Sequence, residues 1–186
     1  MPDMIRDGAG SGWNASVSNA NNKGRLNVSS RSSRRIHYGS VAGNAYSIYG
    51  AREFDAADTD EGILFFIYTG IGSFYIDYLM VTGNGSANQI ELFVDSTYGS
   101  GGTAVVPVNM NRGSAKSLSC TAVNGVSELT VTPGDNEVAD VRFGVDFAKI
   151  LFDGCLILTP NTNLYVVGSV GTIGDKIRAT VLGWEE

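Results

Sequence analysis

From Ala45 onward the chain is divided into short apolar segments by breaks rich in glycine and asparagine. The segments are AYSIYG (45–50), GILFFIYTG (62–70), SFYIDYLMVT (73–82), NQIELFVD (88–95), TAVVPVNM (103–110) and SLSCTAV (117–123). They continue as SELTVT (127–132), VADVRFGV (138–145), KILFDGCLIL (149–158), NLYVVGSV (163–170) and KIRATVLGW (176–184). Most are rich in Val, Ile, Phe, Tyr and Thr, residues whose branched or flat side chains fit a pleated surface. The breaks at 83–86, 99–102, 124–125, 133–136 and 171–175 read as turns, because Gly and Asn accept positive φ at little cost. No amphipathic helix of three turns is present. The nearest candidate, 51–62, is acidic enough to be a turn or a single exposed helical turn. About eleven strands at this spacing predict an all-β fold, a jelly-roll-like antiparallel β-sandwich.

The alternation inside the segments predicts which side chains are buried. In 89–95, Ile90, Leu92 and Val94 share one face; in 128–132, Leu129 and Val131 face the core. Continuous apolar runs at Ile63–Tyr68 and Leu156–Leu158 predict strands covered on both faces. Composition agrees with the class: 43% hydrophobic, 17% charged, and 24 Gly against 4 Pro suit a turn-rich β protein better than a helical one.

Residues 1–40 differ from the rest. Eighteen of them are Ser, Asn or Gly, too few apolar groups remain to offset ordering entropy, and the stretch reads as an extended or mobile arm. The domain expectation is therefore an N-terminal arm, 1–40, and a β-sandwich, 41–186. Arg25–Ser30 alternates Leu26 and Val28 as a short strand would, pairing either with an external edge or with the domain's own sheet. The arm carries six basic and two acidic residues, a charge of +4, whereas the remainder carries 7 basic and 17 acidic residues, a charge of −10. A basic tail on an acidic body suits an acidic partner, either a protein surface or nucleic acid. Arg31, Arg34 and Arg35, set among serines, are the sharpest feature of that tail. They read as solvated linker charge, as a protein-docking cluster or, least favoured because no aromatics are interleaved, as a nucleic-acid grip.

The search for chemistry yields no constellation. His37 is the sole histidine, which excludes a histidine zinc site by count, and no Gly-x-Ser-x-Gly elbow accompanies it. GAGSGW and GSGG lack the Lys-Ser/Thr and strand–helix context of a phosphate loop. Asp55, Asp58, Asp60 and Glu61 lack the ligand spacing and terminal Glu of a calcium loop and read as a solvated acidic loop. Cys120 and Cys155 have no metal spacing and read as reduced, partly buried thiols. A glycosidase pair could be drawn from many carboxylates, and nothing selects one. The expectation is a non-enzyme without cofactor or metal. With neither a signal-peptide pattern nor a long apolar stretch, it is made in a reducing cytoplasm and contacts no membrane.

Particular motifs resemble a family. DGAGSG (7–12), NNKGRLNVSS (21–30) and GNAYSI (43–48) are similar to the opening of many tailed-phage virion proteins, and DGCLILTPNTNLYVVGSV with KIRATVLGWEE is similar to their final strands. The resemblance covers the arm, the sandwich entry and the last forty residues. It implies a jelly-roll decoration or head-fibre protein of the capsid surface, a homotrimer whose arm docks on the major capsid protein. By position, Asp7, Gly8, Gly10 and Arg25, Leu26 and Val28 fall in the docking segment, with Trp13, Leu26 and Val28 as its apolar anchors. The Ser-Arg stretch holding Arg31, Arg34 and Arg35 departs from the family pattern. The same resemblance admits a tail-fibre or receptor-binding module whose sandwich grips host glycan, with Tyr49, Tyr75, Tyr98 and Trp184 as candidate stacking residues.

Overall fold

In a computed structural model, residues 42–186 are described in full, and of the first 41 residues the backbone of three strands. The chain divides into two compact units, Met1–Arg35 and Ile36–Glu186. In the first, β1 (Met4–Arg6), β2 (Asn14–Ser18) and β3 (Arg25–Asn27) form an antiparallel sheet in that order. Leu26 lies opposite Val17, so the strand expected around Arg25–Ser30 is described over Arg25–Asn27 and pairs there inside its own unit.

The second unit is built from β4 (Ala45–Glu53), β5 (Glu61–Tyr68), β6 (Phe74–Gly83), β7 (Asn88–Val94), β8 (Thr97–Ala104), β9 (Val108–Asn109) and β10 (Cys120–Thr132). It closes with β11 (Asn136–Phe143), β12 (Phe147–Leu158), β13 (Asn163–Val170) and β14 (Lys176–Glu185). Two sheets result, ordered β11-β7-β13-β5-β10-β8 and β12-β6-β14-β4-β9. Eight of the strands nest: β4 pairs with β14, β5 with β13, β6 with β12 and β7 with β11, all antiparallel. First with last, second with second to last, this is one long hairpin rolled so that its strands alternate between two sheets, the jelly roll. The segment β8–β10 is inserted at the hairpin's tip. It returns to the other side of the sandwich, adding β10 and β8 beyond β5 and β9 beyond β4.

The core lies between the sheets, where Ile48 of β4, Phe66 of β5, Leu79 of β6, Leu92 of β7, Val166 of β13 and Val181 of β14 are fully buried. Each such side chain contributes roughly 1.5–3 kcal/mol by leaving water. Phe66 and Phe74 meet edge to face across the sheets with centroids 5.4 Å apart. Ile90 and Leu92 point inward as their alternation predicts.

Four expectations are corrected. The break at Gly99–Gly102 is strand, part of β8; Gly101 and Gly102 adopt φ of +82° and +71°, a local irregularity that leaves β8 on the sheet edge. The turn expected at Asn124–Gly125 lies inside one long strand, β10, as a register shift between Asn124 and Leu129. Leu129 and Val131 face away from the main core into a second apolar cluster with Phe65, Val123, Tyr165 and Val167, on the outer face of the six-stranded sheet. Tyr98 of β8 stacks on Phe65 there, 5.4 Å between centroids. The run Ile63–Tyr68 is therefore covered on both faces, as expected, but Leu156–Leu158 is not: Ile157 is exposed.

Candidate functional site

Of the docking residues read from the sequence, Arg25 and Leu26 lie on β3, where Arg25 faces Ser18 and Leu26 faces Val17 in the register. Asp7, Gly8, Gly10, Trp13, Val28, Arg31, Arg34 and Arg35 lie outside the described residues, as does His37. Two surfaces of the sandwich emerge in addition, neither singled out by motif.

The first is a cleft of about 600 Å³ where the β4–β5 loop meets β10. Arg52, the last buried residue of β4, forms its wall. Its Nε and Nη2 both reach Glu61 Oε2, its Nη1 donates to the Gly125 carbonyl at 3.3 Å, and Asp55 stands 3.8 Å from Nη2. The pair clamps the two ends of the loop, so the acidic run 55–61 is anchored at its base. Burial, with Asp55 beside it, raises the Glu61 pKa, and Arg52 opposes that rise. Tyr165 lines the floor, its phenol pushed up to about 12 by burial and by Asp60. Glu53, Asp55, Asp60 and Glu128 complete a negative rim, while Val126, Leu129 and Val131 supply apolar wall. The negative field extends to β7, where burial, Asp60, Glu137 and Asp140 raise the Glu91 pKa. Such a cleft accepts hydrogen bonds from hydroxyls or cations and repels phosphate. Glu61 is itself committed to Arg52.

The second is the outer face of the five-stranded sheet. Tyr75 and Trp184 stack there, 5.3 Å between centroids and 4° between planes. Trp184 is buried and Gly154, at φ +75°, lies beneath its ring, where a Cβ would collide with the indole. These two candidate stacking residues are therefore committed to each other, whereas Tyr49 is exposed and Tyr98 is half engaged by Phe65. Beside them β12 presents Phe147, Leu151 and Ile157 outward. Lys149 of the same strand sits 3.8 Å over the Tyr78 ring. Asp77 is half-buried, and burial together with Asp153 raises its pKa, against the pull of Lys149.

Both cysteines are free. Cys120 is half-buried, and its thiol is pushed up to about 11 by burial and Glu185; Cys155, against expectation, is exposed on β12. Among the described residues, no group of three or more His, Cys, Asp or Glu is placed to hold a metal ion, and no helix is long and apolar enough to cross a membrane. Comparison with known proteins adds no relative, since no family model and no curated protein matches the chain.

Proposed function

We propose that the chain is a structural protein of the tailed-phage virion surface, a capsid-decoration module that docks on the major capsid protein through residues 1–40 and performs no chemistry. The observation that carries this reading is the completeness of the jelly roll without those residues. Both of its sheets are formed by strands from Ala45 onward, while β1, β2 and β3 pair with one another. A segment that the sandwich does not need can be given to a partner without opening the core. Its +4 charge suits an acidic capsid surface, and the −10 body keeps free copies soluble in the host cytoplasm before assembly. A contact made through one small segment is weak per copy, which many copies on one shell offset.

Deleting residues 1–40 tests the reading. The truncated protein is expected to keep its β-type circular dichroism and its melting temperature while losing co-sedimentation with empty shells. Undiminished binding by the truncated protein would refute the docking role.

A second reading, a glycan-binding module of a tail fibre, is favoured by the cleft at Arg52, Tyr165 and Glu128. Carboxylates there could accept sugar hydroxyls against the apolar wall of Val126 and Leu129. A glycan array read with wild type and Glu128→Ala separates the two: signal lost in the variant supports the module, and no signal above background removes it.

A further inference from the structure

We infer that the outward face of β12 is a self-complementary contact on which a second copy of this chain packs about a two-fold axis. Strand β12 is the edge of the five-stranded sheet, and its outward residues Phe147, Leu151 and Ile157 are 66%, 61% and 46% exposed. Three large apolar groups exposed in one line on an edge strand are costly unless something covers them.

Their spacing identifies the cover. Strand β6 provides the ruler: Leu151 lies opposite Tyr78, Phe147 opposite Thr82 on one side, and Ile157 opposite Tyr75 on the other. At about 3.4 Å per residue of β6, Phe147 and Ile157 stand roughly 14 Å and 10 Å from Leu151 in opposite directions. Between these apolar points lie opposite charges. Lys149, opposite Met80, stands between Leu151 and Phe147; Asp153, in the bulge at the register shift after Leu151, stands between Leu151 and Ile157. A two-fold axis through Leu151 reverses the strand. It sets Leu151 on Leu151, Phe147 on Ile157 and Lys149 against Asp153, and each unlike pair occurs twice, as an isologous contact requires.

A rotation of another order does not map the strand onto its own reverse, so the pattern favours a dimer in place of the trimer that the resemblance implies. The bulge, with Asp153 and Gly154 at φ of +50° and +75°, breaks the backbone ladder of the edge. Side chains, rather than added strand pairing, therefore make the contact. This contact is independent of the docking reading, because self-association is measured without any capsid.

Sedimentation velocity and light scattering of the full chain over a concentration series test it, with circular dichroism as the folding control. The wild type is expected to be a dimer and Leu151→Glu a monomer. Lys149→Glu faces the partner's Asp153 with a like charge and is expected to dissociate about tenfold more readily, with Lys149→Glu/Asp153→Asn recovering most of that loss. A monomeric or trimeric wild type overturns the inference. So does a folded Lys149→Glu variant that dimerises as the wild type does, or a double variant no tighter than Lys149→Glu.

Discussion

Tyr68 on β5 donates a 2.7 Å hydrogen bond to Glu185 at the end of β14, tying one sheet of the jelly roll to the other at their rim. Burial first, then the Glu185 carboxylate, push the Tyr68 phenol up to about 12, and burial does the same for Tyr165. A folded-state pKa above the usual value of about 10 means that both groups stabilise the fold fully below that value. The contribution is lost as pH rises through the folded value. Absorbance at the phenolate band is expected to show late-titrating tyrosines, Tyr68 and Tyr165 among them with Tyr46 and Tyr78, accompanied by loss of β structure. Tyr68→Phe and Tyr165→Phe should each remove one late step, and Tyr68→Phe should also lower stability by about 1 kcal/mol through its lost hydrogen bond.

Arg52 and Glu61 form a buried ion pair across the base of the acidic loop. Removing one partner strands the other, so Glu61→Gln and Arg52→Met are each expected to destabilise by about 3 kcal/mol. Replacing both together by apolar residues should recover most of the loss. A denaturant double-mutant cycle checks this, and additive losses would show that the two groups do not act as a pair.

Asp77 lies half-buried beside Asp153. Its raised pKa means that the protonated form fits the fold better, so its stabilising contribution is present below the ordinary aspartate range and is lost as pH rises through the folded value. Asp77→Asn is expected to melt above the wild type at neutral pH, with the difference closing as the solution is acidified below about pH 4. Melting curves over that range read the effect directly.

Gly154 combines a φ of +75° with the Trp184 ring directly above it. Gly154→Ala carries the left-handed penalty of about 1–2 kcal/mol and displaces the indole from Tyr75. Loss of near-ultraviolet circular dichroism with a lower melting temperature is the expected signature, with the far-ultraviolet spectrum unchanged.

Eight segments on the sequence correspond closely to strands, because alternation such as Ile90, Leu92 and their polar neighbours survives wherever a sheet has one dry face. The insertion was harder to read. Gly99, Gly101 and Gly102 carry turn chemistry, yet they occupy β8 because tertiary pairing with β10 outweighs their weak strand propensity. Asn124–Gly125 likewise marks a bulge rather than a hairpin, since both flanks of β10 continue on the same side of the sheet. Leu129 and Val131 alternate correctly, but alternation does not say which of two apolar faces receives a side chain. The Arg52–Glu61 clamp had no local signal: it needs the jelly roll to bring Gly125 to the same guanidinium. The outward face of β12 was hidden inside KILFDGCLIL, whose Leu156–Leu158 run reads as doubly covered until its edge position is known.

The pairing of β4 with β14 sets Ala45 opposite Trp184, joining the two extremes of the sandwich's sequence. Such a contact closes a loop of about 140 residues, and loop closure of that kind slows folding relative to local structure. During synthesis β4 emerges well before its partner β14. Until then the middle of one sheet has an open edge, so closure of the sandwich is paced by the arrival of β14.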